Sequence, residues 1–172
     1  MLKLLGALLI VGASSISGIL IANKYRQRPL ELRNLRSMLN LLETEIVFTS
    51  TPLPLALEKI AKHADSNIAQ LFAKTRDYLL TENGITADEA WQRALHDFMP
   101  ESYLIEEDLG ILQNFGIGLG CSDRNEQLKN IQLVQELLKQ QELKAETNRC
   151  QNERLWKTMG FLTGVAIVLL IY

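Results

Sequence analysis

LLGALLIVGASSISGILIA, residues 4–22, carries no charge, and a helix of that length at 1.5 Å per residue nearly matches a bilayer hydrocarbon core of about 30 Å. A signal peptide is the competing reading. The small-residue cleavage pattern is missing, however, and the run ends directly in Asn23, Lys24, Tyr25, Arg26, Gln27 and Arg28, so the stretch reads as an uncleaved anchor. The other end of the chain repeats the theme with MGFLTGVAIVLLIY, residues 159–172. That run is short for a span, but Tyr172 can lie among far headgroups and the helix can begin near Leu155 or Trp156, which predicts a second membrane helix over 158–172. An in-plane or re-entrant segment is the alternative.

Cations beside the two runs set an orientation. Lys24, Arg26, Arg28, Arg33 and Arg36 follow the first run, with only Lys3 before it, and Arg149, Arg154 and Lys157 precede the second. Lys and Arg near a span stay on the cytoplasmic side, so both termini are expected outside and residues 24–157 inside. Cys121 and Cys150 are too few for a disulfide framework and read as free thiols in a reducing compartment. A formal net charge of −2 argues against a nucleic-acid partner, which needs a clustered basic surface. The cations near the ends read as topology signals and contacts to membrane lipids.

Between the runs the pattern is all-α, in one domain of six helical pieces. Pro29 suits the first turn of a helix whose Leu32, Leu35, Leu39, Leu42 and Ile46 recur on one face. Thr49 to Pro54 interrupts it. Leu53, Leu57, Ile60 and Ala61 mark a second helix; Asp65 or Ser66 caps a third with Ile68, Leu71, Phe72, Tyr78 and Leu79 inward, ended by Asn83 and Gly84. Thr86 and Glu89 have capping-box spacing ahead of Ala90, Trp91, Ala94, Leu95 and Phe98. A fifth helix, about 103–115, is expected to bury Tyr103, Leu104, Leu109, Leu112 and Phe115 before the glycine-rich turn 116–120. That turn lacks the preceding strand and the Lys-Ser/Thr pair of a phosphate loop. Ser122 or Asp123 caps a long last helix from about 123, with Leu128, Ile131, Val134 and Leu138 as its apolar edge. From Lys139 to Arg154 it is polar on nearly every face and reads as a solvent-exposed stalk.

No catalytic residue, cofactor site or metal site is expected. His63 and His96 are far apart and belong to no metal or nucleophile motif, and Glu106, Glu107 and Asp108 point in different directions on a helix. Two features suggest partners. Asp77, Glu82, Asp88, Glu89, Asp97, Glu101, Glu106, Glu107 and Asp108 are opposed between positions 77 and 108 by Arg93 alone, a skew that can steer a basic protein face or can simply be a solvated surface. In the apolar runs, Gly160 and Gly164 form GxxxG while Ser14, Gly18 and Ala22 recur every four residues. Such stripes allow close helix approach, within the chain or in a homo-oligomer.

Several stretches resemble the stage III sporulation protein AB family: Leu41-Leu42-Glu43-Thr44-Glu45-Ile46, Thr51-Pro52-Leu53-Pro54 with Ala56-Leu57, Ala90-Trp91 with Ala94-Leu95, and above all Leu119-Gly120-Cys121-Ser122-Asp123-Arg124 with Gln127. The resemblance covers nearly the whole chain. It implies a protein similar to the F-type inner-membrane platform of type II secretion machines, with a six-helix cytoplasmic domain. It further implies a place in the channel complex between mother cell and forespore, in the mother-cell membrane, with a secretion-type ATPase and other channel subunits as partners. The acidic residues Asp77, Asp88, Glu89, Asp97, Glu106, Glu107 and Asp108 are then the expected ATPase-docking surface, and Ser14, Gly18, Gly160 and Gly164 the expected membrane packing positions. A membrane-anchored regulatory module that binds another cytosolic protein is the alternative function.

Overall fold

The computed structural model describes residues 2–63, 67–82, 84–120 and 123–171. The expected caps at Asp65, Ser66 and Ser122, the stop at Asn83, and the positions of Cys121 and Tyr172 lie outside those residues. Six α-helices follow one another: α1 (Leu2–Glu43), α2 (Leu53–Lys62), α3 (Asn67–Thr81), α4 (Ala87–Phe98), α5 (Glu106–Ile117) and α6 (Arg124–Ile171). No strand occurs among the described residues.

The chain divides into two compact units. Residues up to Pro29 and from Leu143 onward form one, and Leu30–Glu142 forms the other. In the second unit the α1 stripe Leu32, Leu35, Leu39, Leu42 and Ile46 is buried as its spacing predicts. Ala56, Leu57 and Ile60 of α2, Ile68, Leu71 and Phe72 of α3, and Ile131, Val134 and Leu138 of α6 join the same core. Trp91 stands at its centre. Its ring meets Phe72 and Phe115 edge to face, with centroids 5.6 Å and 5.1 Å away, a geometry that the ring quadrupoles favour. Its indole N–H donates to the Leu112 carbonyl at 2.7 Å, so the one polar atom of the side chain is satisfied. Gly116 is required beside it, because a Cβ there would lie 2.6 Å from Trp91 Cδ1.

The capping box at α4 is present as its spacing predicts: the Glu89 amide donates to Thr86 Oγ1 at 3.2 Å, and Glu89 Oε2 accepts the Thr86 amide at 3.0 Å. Asp123 caps α6, its Oδ1 accepting the Asn125 amide at 3.0 Å. Gly120, at φ +84°, supplies the left-handed residue of the turn between α5 and α6.

Three expectations need correction. Pro29 does not open a helix but lies inside α1. Its ring removes one hydrogen bond, yet its fixed φ is helical, and the helix continues through it. At the far end α1 closes in a π-type turn, Thr44–Phe48, and Ser50 adopts φ +53°. Tyr103 is 37% exposed rather than buried, because α5 starts only at Glu106. The polar 139–154 stretch is not exposed on every face, since Gln141 and Glu142 are buried. Glu142 is accommodated by Arg33 and Arg36, whose guanidiniums donate to its two oxygens at 2.9 Å and 2.5 Å. A buried charge is tolerated when it is paired in this way.

Candidate functional site

The structure distributes the predicted acidic residues among different duties. Glu89 is spent on the α4 cap. Asp77 is exposed and pairs with Arg76, and Asp88 is half-buried and accepts Gln92 Nε2 at 3.1 Å. Asp97 accepts the Tyr78 hydroxyl at 2.8 Å. That hydroxyl holds the Asp97 carboxyl below its ordinary value, while the carboxylate raises the phenol's. Tyr78, Glu82, Gln92, Arg93, His96 and Asp97 line a shallow cleft between α3 and α4, in which Arg93 is already neutralised by Glu82. Glu106 and Glu107 are exposed on the first turn of α5, where acids complement the helix dipole.

Asp108 does not share that surface. It is fully buried, and its Oδ2 accepts the Ile105 amide at 3.0 Å. It is therefore the N3 residue that satisfies the start of α5, a role its sequence position three residues after Ile105 could have signalled. Glu31, which no sequence feature singled out, is buried at 7% exposure, and its Oε2 accepts the Tyr103 amide at 2.8 Å. Burial raises its carboxyl above the ordinary value, the Tyr103 amide pulls it back in part, and the Asp108 charge raises it further. Two buried carboxylates, more than 70 residues apart in sequence, thus hold the backbone of one short segment. No cluster of three or more His, Cys, Asp or Glu among the described residues could hold a metal ion. His63 and His96 are exposed, and neither meets a nucleophile: His63 Nδ1 lies 2.8 Å from the Lys59 carbonyl, and His96 Nδ1 lies 3.8 Å from Asp97.

The other compact unit pairs the start of α1 with the end of α6 through small residues. A Cβ on Gly18 would lie 2.9 Å from Gly160 Cα and 2.7 Å from the Trp156 carbonyl; one on Gly164 would lie 2.9 Å from Val11 Cα and 3.1 Å from Ser14 Cβ. Ser14 Oγ donates to the Gly160 carbonyl. Ser14, Gly18, Gly160 and Gly164 therefore meet at one backbone-to-backbone contact, with Ala22 buried beside them. By length and composition α1 can cross a membrane, its best window reaching a mean hydropathy of 2.2. Arg149, Glu153 and Lys157 form a ladder on α6, with Glu153 accepting from Arg149 at 3.0 Å and from Lys157 at 2.7 Å.

The sequence profile of a known family matches residues 3–172. The chain belongs to the stage III sporulation protein AB family. Stage III sporulation protein AB of Bacillus subtilis (strain 168) is 37% identical over 171 residues, which is 99% of both chains. A solved structure of a stage III sporulation protein AB matches with a TM-score of 0.68 at 33% identity, covering 73% of this chain and 98% of that one. The family resemblance of the Leu119 to Arg124 stretch is thus shown along the whole chain, and the chain is a helical sporulation protein with an apolar N-terminal helix.

Proposed function

We propose that the chain is a non-enzymatic platform subunit of the channel complex between mother cell and forespore, joining a cytoplasmic secretion-type ATPase to membrane components. The observation that carries the membrane part is the inverted polarity of the helix pair. Leu8, Leu9, Leu169 and Leu170 face outward at 68–87% exposure, while glycine and serine face inward. Water disfavours that arrangement and lipid favours it, so both helices span, with the flanking cations inside and both termini outside. The Leu30–Glu142 unit is then cytoplasmic and free to bind partners. The exposed Glu101, Glu106 and Glu107 support docking of a basic protein face, and the family's similarity to F-type secretion platforms supports the ATPase as its owner.

The test is purification of the full-length chain in detergent from sporulating cells. Recovery of the secretion-type ATPase and the other channel subunits is expected. Their absence from a folded, membrane-inserted preparation would replace this assignment with a membrane-anchored regulatory module serving a different cytosolic protein.

A further inference from the structure

The segment Ser102–Ile105 is unusual in what it hides and what it shows. Ser102 and Ile105 have extended backbones, with ψ of 156° and 170°, and in an extended chain alternate side chains point to opposite sides. Ser102 and Leu104 are half-buried, whereas Tyr103 and Ile105 are exposed, as is Met99 just before them. The backbone beneath is fixed. Glu31 accepts the Tyr103 amide and Asp108 accepts the Ile105 amide, both carboxylates being buried. Burying two acids close enough to raise the Glu31 carboxyl is a costly way to hold a surface loop, and what the loop shows is the partly exposed Tyr103 and Ile105, with Met99 of the preceding turn also partly exposed.

We infer that Met99, Tyr103 and Ile105 form a preorganised knob that docks into an apolar groove edged by Lys and Arg side chains on a protein partner. Charge identifies the partner's rim. From Ala94 to Asp123 the chain contains no Lys or Arg, while Glu101, Glu106 and Glu107 flank the knob, and all three are exposed. An apolar patch flanked along the chain by exposed acids favours a groove with basic edges. A Tyr held on a rigid backbone is the type of residue that dominates such contacts, because little entropy is lost when it docks. This inference rests on the reading above for the owner of the groove, the secretion-type ATPase.

Two experiments on the full-length chain in nanodiscs separate the claims. In the first, purified ATPase is titrated onto wild type and onto Tyr103→Ser/Ile105→Ser. The knob predicts a rise in Kd of about tenfold or more with unchanged helicity and melting, because both substitutions leave the amides that Glu31 and Asp108 hold. Glu106→Lys should weaken binding most at low salt. ATPase binding that ignores all three substitutions overturns the knob while leaving the platform reading intact. In the second, a benzophenone amino acid at Tyr103 is irradiated in sporulating cells. An adduct mapped to a Lys/Arg-edged apolar groove of the ATPase supports both claims, and one in such a groove of another channel subunit keeps the knob and reassigns its partner. Adducts only to lipid or to a second copy of the chain overturn it.

Discussion

The helix pair at the two ends of the chain and the bundle between them sort the same residue types by opposite rules. In the bundle, Trp91, Phe72, Phe115 and the α1 leucines point inward, as expected where removal of apolar surface from water drives folding. In the helix pair the leucines point outward, and Gly18, Gly160, Gly164 and Ser14 make the contact. If, as proposed, lipid surrounds this pair, nothing is gained by burying leucine, and association depends on close backbone approach and on hydrogen bonds such as that from Ser14 to Gly160. The difference teaches that exposure of an apolar side chain has no fixed meaning along this chain. Outward leucines near the ends fit a lipid boundary, whereas Tyr103 and Ile105 of the bundle are partly exposed on a backbone that two buried carboxylates hold.

That contrast can be broken at its strongest point first. Trp91→Ala removes two aromatic contacts and a satisfied indole, and should cost the bundle about 3–5 kcal/mol in urea unfolding; a loss below about 1 kcal/mol would mean that the core is not centred there. For the helix pair, Ser14→Cys with Gly164→Cys in a background lacking Cys121 and Cys150 should form a disulfide in isolated membranes, given the close approach at these positions. Adding Gly18→Val should cut the yield at a strain of about 1–3 kcal/mol, whereas Gly12→Val, with nothing within 4 Å of its Cβ position, should leave it unchanged. Thr86→Ala should cost about 1 kcal/mol through loss of the α4 cap, without touching the helix-pair disulfide.

The smallest expected effect is a pair of opposite pH slopes within the bundle. Glu31 is raised by burial, so its protonated form is favoured on folding, and its contribution is fully present below the ordinary carboxylate range and lost as pH rises through the raised value. Burial pulls Glu142 up as well, but Arg33 and Arg36 outweigh it and leave this carboxyl lowered. Its contribution is present above the ordinary value and lost as pH falls through the lowered one. As pH falls from 7 to about 4, wild type should therefore gain stability relative to Glu31→Gln, and as it falls further, from about 4 downward, lose stability relative to Glu142→Gln. Parallel slopes in chemical denaturation would contradict the assigned environments.

Local patterns were legible in the sequence, and contacts between distant positions were not. The α1 leucine stripe, the Thr86/Glu89 box and the Trp91 helix all rest on spacings within two turns, and the structure places them accordingly. Pro29 misleads because its fixed φ suits a helix interior as well as a first turn, at the cost of one hydrogen bond. Glu142 is lost in the polar 139–154 stretch and Glu31 falls in no pattern, since their partners, Arg33 and Arg36 for one and the Tyr103 amide for the other, lie 109, 106 and 72 residues away. Asp108 is the intermediate case: its capping distance from Ile105 was visible, but three acids in a row read more readily as a surface patch. Without it, Glu101, Glu106 and Glu107 remain as the exposed acids that flank Tyr103 and Ile105 in the sequence.

The central claim, that the bundle of this sporulation protein is a docking platform for a cytoplasmic ATPase, is tested most directly by titrating that ATPase onto the full-length chain in nanodiscs. Saturable binding that Glu106→Lys/Glu107→Lys weakens and Gly12→Val leaves alone is the predicted result. A folded, inserted chain that gives no saturable binding would contradict it.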